Sequence, residues 1–200
     1  ATSLINSLIL PALAAIAVLA HDIVSLLYGS TWLQAVPAIP WLCLAYAVSS
    51  LFTLSTPALT GVGKPYASIG PTAFLVFVKI SFAWWLMDGT LRTFAVAIAL
   101  GQLLSAPAMV LMLYRHLGLP VLAWLKNTLS VFALAASIGI LCWIIRILLP
   151  DGWPSILTIA VTGSAAVIAF VFVSRALSLP ISHELQRLFK QLHKKPSPPM

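Results

Sequence analysis

The sequence predicts an all-α integral membrane protein with six transmembrane helices, and three observations carry that prediction. Of 200 residues, 61% are hydrophobic and 8% charged, where a soluble domain carries roughly 25% charged residues. The mean hydropathy is +1.05, so too few ionic groups exist to cover a water-facing surface. Apolar runs recur at the length of about 20 residues that a helix needs to cross the hydrocarbon layer. Those runs are continuous, whereas barrel strands would alternate apolar and polar residues over about ten positions.

The spans follow in chain order. The first covers about residues 4–20 and holds no charge. The second, about 35–59, lies in the uncharged stretch 23–62. The third, about 66–87, is interrupted by Lys79. The fourth, fifth and sixth cover about 93–114, 128–149 and 153–174. Helix breakers stand between them, in order "YGST", "GVGKP", "DGTLR", "RHLGLP" and "LPDGWP", where turn-forming residues end one helix and release the next. Residues 1–175 thus form a transmembrane unit and 176–200 a tail.

Basic residues set the orientation. Alternate loops and the tail place Lys64, Arg115, Lys126, Arg175, Arg187, Lys190, Lys194 and Lys195 on one side. The other side receives Arg92 and Arg146 with Asp22, Asp88 and Asp151. Eight against two puts the tail and the start of the chain in the cytoplasm. Trp32, Tyr66, Trp84, Trp85, Tyr114, Trp124 and Trp153 stand near span ends, as interfacial aromatics do. In the tail, Ile181, Leu185, Leu188, Phe189 and Leu192 form one apolar stripe, with Arg187, Lys190 and Lys194 off it. Such a helix lies on the membrane surface and is held partly by anionic lipid; a partner-docking helix is the alternative. The final "PSPPM" reads as disordered, and the opening "ATSLINSLIL" has neither an initiating Met nor a signal-peptide n-region. The expectation is a piece of a longer protein, with the remainder upstream.

Little in the chain looks catalytic. Asp22, Asp88, Asp151 and Glu184 are scattered one to a segment, without the paired carboxylates or the His/Glu cluster that acid–base or metal chemistry needs. No metal, cofactor or nucleic-acid partner is implied, and the chain reads as a non-enzyme. Cys43 and Cys142 sit in apolar runs and read as small buried side chains. "GVGK" at 61–64 lacks the earlier glycine of a phosphate loop, where Ala58 stands, and its Ser/Thr, where Pro65 stands; it reads as a turn. His21 beside Asp22 is a weak proton-relay candidate, set against a simple wetted pair at the membrane surface. Pro11, Pro57, Gly70, Pro71, Gly101, Pro107 and Gly139 fall inside spans, which is common in membrane helices and also marks transporter hinges.

Lys79 is the sharpest feature. A charge at the centre of a spanning helix costs about 2.5–3.5 kcal/mol on the gentlest scale. At 1.5 Å per residue it lies roughly 20 Å from Tyr66 and roughly 13 Å from Asp88 along the helix. Ser68, Thr72 and Lys79 fall within about 40° on a helical wheel, with Ala83 next. Three readings stay open: a cavity-facing cation, a snorkelling side chain and a buried pair. The polar stripe favours the first, and a cavity cation suits a phosphate or carboxylate.

The stretch 11–68 carries a resemblance. It contains a span ending "IVSLLYGSTWLQAV" and a following span ending "LTGVGKPYAS". These motifs resemble the second half of bacterial polysaccharide flippases, the O-antigen and exopolysaccharide transporters of the multidrug/oligosaccharidyl-lipid/polysaccharide (MOP) exporter superfamily. The resemblance implies that the six spans are the C-terminal helical bundle of a two-bundle transporter in the bacterial inner membrane. It implies a polyprenyl-pyrophosphate-linked oligosaccharide as substrate, flipped by alternating access, with the N-terminal half of the same transporter and membrane lipid as partners. Lys79 would face the cavity and offset substrate charge, with Thr72 and Ser68 beside it and Arg146 as a weaker second cation. A drug/cation antiporter of the same fold would want an acid inside a span. A membrane transferase of lipid-linked sugars would want catalytic acids at the interface. A non-transporting scaffold is the last alternative.

Overall fold

The computed structural model describes residues 2–86, 89–118, 120–149 and 154–176. The predicted tail beyond Ala176, with Asp88, Asp151 and Trp153, lies outside the described residues. Every described element is helical. In order they are α1 (Thr2–Val18), α2 (Ala20–Tyr28), a 3₁₀ segment (Ser30–Ala38), α3 (Ile39–Ser50), α4 (Ser55–Gly61) and a short 3₁₀ turn (Pro65–Ser68). The remaining four are α5 (Ile69–Leu86), α6 (Leu91–Leu117), α7 (Val121–Leu148) and α8 (Ser155–Ala176).

Five helical stretches are long and apolar enough to cross a membrane: Ser30–Gly61, Pro65–Leu86, Leu91–Leu117, Trp124–Leu148 and Ser155–Phe172. A sixth exists if α1 and α2 count as one broken span. The apolar runs therefore become helices close to where the sequence places them. The turn chemistry holds as well. Gly89 (φ 78°) and Gly118 (φ 62°) take the left-handed backbone that closes the turns on either side of α6, a region Gly enters without strain. Thr90 caps α6 by accepting the backbone N–H of Thr93, the usual partner of an N-cap hydroxyl.

Two expectations need correction. The connection after the first span is not a simple loop. The chain bends by 73° between α1 and α2, and α2 then packs on the first 3₁₀ segment and on α8. Leu19 is the joint: its N–H donates to Ala15 at the end of α1 and its carbonyl accepts from Ile23 at the start of α2. Tyr28 and Trp32 are exposed beyond it, their rings 6.2 Å apart. The second span is also not one smooth helix. It is broken between Ser50 and Ser55, where Ser49 and Ser50 accept short i+3 bonds from Phe52 and Thr53. Pro57 explains the break, because its ring displaces the carbonyl four residues back and it lacks the N–H to bond it.

Packing fixes the relative directions. On α1 and α7, Leu10 shares a core cluster with Val131 and Ala135, and Ala14 lies against Gly139. Contacts advance together along both chains, so α1 and α7 run parallel. Ala47, Val48 and Leu51 share that core with Met112 and Leu113, near the C-terminal ends of α3 and α6, so these run parallel too. α5 and α6 form an antiparallel hairpin, with Lys79 against Gly101. Those directions are the ones that alternate crossings of a membrane require. Ala95, Ala97, Ala99 and Gly101 are buried on α6; small side chains let neighbouring helices approach closely without any aqueous driving force. α5 is the outlier. It packs mainly on α6, and Val78 alone is buried along it.

Candidate functional site

Two places hold charge inside this apolar frame. The first is the α5–α6 hairpin. A Cβ on Gly101 would lie 2.7 Å from Cγ of Lys79 and 3.2 Å from its Cα. The absent side chain of Gly101 is therefore the seat of the lysine stem, and Lys79 is half-buried there. It makes no ion pair with a described carboxylate. The hairpin brings Gly101 to it because the turn at Gly89–Thr90 lies midway between them in sequence.

The predicted stripe is only partly assembled. Thr72 is exposed on α5. Ser68 closes the preceding 3₁₀ turn, and its Oγ donates to the carbonyl of Pro65 at 3.2 Å. Its hydroxyl is thus used locally, and the wheel angle drawn from Ser68 starts one residue before α5 begins. Lys79 stands on its own helix face with Thr72 a little under two turns away and Ser68 turned back on its own loop.

The second place joins α2 to α7. Arg146 donates from Nη1 to Oδ2 of Asp22, across 124 positions of sequence. The Asp22 side chain is 10% exposed and that of Arg146 32%. His21 is more than half exposed, with Nδ1 3.9 Å from Oδ1 of Asp22. In place of the wetted His–Asp surface pair that the sequence suggests, Asp22 is buried and its close partner is Arg146. The α1–α2 bend makes this possible, because it turns Asp22 onto the end of α7 beside α1. Arg146, read from sequence as a free cation for substrate, thus has part of its charge already offset.

Sequence reasoning missed Gly101 as the seat of Lys79, though a glycine in mid-helix was a visible signal. It also missed the Asp22–Arg146 pair, for which local spacing held no signal. Two buried polar atoms stand out further: Oδ1 of Asn6 on α1 and Oγ1 of Thr162 on α8 have no hydrogen-bond partner among the described residues. Leaving such a group unsatisfied costs about 1–3 kcal/mol. Cys43 and Cys142 are free and buried, as expected. Among the described residues, no three His, Cys, Asp or Glu side chains come together as metal ligands would.

Comparison of the chain with protein-family profiles, curated proteins and solved structures finds no match.

Proposed function

We propose that this chain is the C-terminal helical bundle of a lipid-linked oligosaccharide flippase. Its helices would cross the bacterial inner membrane with the C-terminus cytoplasmic, and carry a polyprenyl-pyrophosphate-linked oligosaccharide from one leaflet to the other during surface-polysaccharide synthesis. The proposal is of a transporter, not an enzyme, working with the other helices of a two-bundle protein.

One observation supports it above the rest. Lys79 is an ammonium with no described carboxylate partner, half-buried against Gly101 on a helix that packs mainly on one neighbour. An intramembrane cation is retained where it has work to do, and the exposed side of α5 is free to line a path for an anionic headgroup. The test is flipping of lipid-linked oligosaccharide by the intact transporter in proteoliposomes. Lys79→Ala should abolish it and Lys79→Arg should keep part of it; full activity in Lys79→Ala overturns the reading.

A second reading gains one specific observation. A drug/cation antiporter needs a carboxylate shielded from water, and Asp22 is buried. It would be favoured if Asp22→Asn stopped proton-driven uptake of an organic cation while Lys79→Ala did not.

A further inference from the structure

α3 and α7 both pack against α1 but scarcely touch one another. Between them runs a groove floored by α1, with Ala14 and Ala17 at its base. Its volume is about 400 Å³. Pro40 and Leu44 of α3 form one wall, and Ala136 and Ile140 of α7 the other. The groove exists because its lining is small. Ala14 and Ala17 on the floor and Ala135, Ala136 and Gly139 on the α7 wall leave room between the outer helices over α1. Ala17 and Pro40 also line a second, adjoining space of about 740 Å³, with Trp143, Arg146 and Ile147. An apolar slot therefore leads to a guanidinium two residues from the end of α7.

We infer that this groove holds one bilayer phospholipid, with an acyl chain along the slot and its phosphate on Arg146. Three features of the site point to that occupant. The slot is apolar along its length, so it takes hydrocarbon. Arg146 commits Nη1 to Asp22, but a guanidinium carries five N–H donors in a planar fork. It remains partly exposed on the groove side and is suited to a phosphate oxygen. The third feature is length. From Phe132 to Arg146 the α7 wall runs roughly 21 Å at the helical rise, about two-thirds of a hydrocarbon layer about 30 Å thick. That is the reach of one acyl chain hung from a headgroup at the membrane surface. A polyprenyl carrier is several times longer and would overrun the slot. Trp143 stands one turn from Arg146, at the level where an indole ring meets headgroups.

This inference does not rest on the flippase reading, which is argued from Lys79 on α5 and not from Arg146. It is tested with the full chain in vesicles containing a phosphatidylglycerol that bears a photoactivatable acyl chain. After irradiation, label should concentrate on α1 and α7 at Ala14–Ala17 and Ala136–Trp143. Ala136→Trp fills an exposed wall position and should remove that label while leaving labelling of α5 unchanged. Asp22→Asn with Arg146→Gln keeps the junction neutral and should weaken lipid retention about tenfold, the scale of a charge-assisted hydrogen bond. Label spread evenly over all the helices, or unchanged by Ala136→Trp, overturns the inference. So does displacement of the label by polyprenyl phosphate at a lower concentration than unlabelled phosphatidylglycerol, which would make the occupant a carrier lipid. Flipping assays on Lys79 variants are unaffected by any of these results, so the two readings fail separately.

Discussion

The α1–α7 contact and the α5–α6 hairpin handle a buried cation in opposite ways. At the first, Arg146 meets Asp22, and the bend after α1 brings the carboxylate there. At the second, Lys79 meets a glycine and no described carboxylate. The arginine is paired with a buried carboxylate and remains partly exposed at the mouth of the groove. The lysine has no described carboxylate beside it and sits on a helix with one principal neighbour. A cation satisfied by its own protein serves architecture, or holds what settles beside it. A cation left unsatisfied is available to a mobile anion. The difference is one of partner rather than of residue type, and substitutions can separate the two roles.

The largest effect is expected at the ion pair. Asp22→Leu or Arg146→Leu leaves one buried charge alone, and each should lower stability by about 2–4 kcal/mol, somewhat below a fully buried pair because the guanidinium is a third exposed. The double variant should recover much of that loss, since no orphan charge remains. Thermal unfolding in detergent measures the cycle, and additive single effects would show that the pair contributes no coupling.

Next comes the seat of the lysine. Gly101→Val places a branched side chain where Cγ of Lys79 now lies, an overpacking that should cost about 1–3 kcal/mol. Combining it with Lys79→Ala removes the Cγ conflict and should restore part of the stability. No rescue would mean that backbone separation, not the lysine stem, sets the cost. A smaller loss, about 1 kcal/mol, is expected for Gly89→Ala, because alanine resists the positive φ of that turn. It should weaken the α5–α6 hairpin and leave α1–α7 crosslinks between Ala14→Cys and Gly139→Cys unchanged. The smallest effect on stability belongs to Lys79→Met, within about 0.5 kcal/mol or slightly stabilising, since a charge without a partner is removed from an apolar setting. Stability retained with transport lost is the pattern of a functional cation. A loss as large as that of Arg146→Leu would place Lys79 with the structural pair and erase the contrast.

The two broken spans show where pattern reading stops. The uncharged stretch 23–62 looks like one span and its flanks, because hydropathy averages over a bend. Pro57 was a visible breaker, and the interruption before Ser55 follows from it. The 73° bend after Val18 has no proline or glycine beside it. Leu19 closes α1 through its N–H and opens α2 through its carbonyl, with no sequence breaker to mark the joint; Asp22 reaching Arg146 gives the bend a role from outside the segment. Ser68 shows the same limit on a smaller scale. A wheel drawn through it assumes helix, and the chain there is a 3₁₀ turn whose carbonyl takes the hydroxyl.

The sequence by itself determined that this is a helical, membrane-associated chain, roughly where each apolar helix runs, and that Lys79 interrupts one of those runs. Composition and run length decide those points, because a helix satisfies its own backbone wherever water is absent. Tertiary structure alone decided that Asp22 belongs to Arg146, that Gly101 seats Lys79, and that α3 and α7 part over α1 to leave a groove. Each of these depends on which helix faces meet. In a chain whose surfaces are apolar on nearly every side, the hydrophobic pattern does not mark the packed face. The close approach of small residues and the pairing of rare charges select it instead, and both act between positions far apart in sequence.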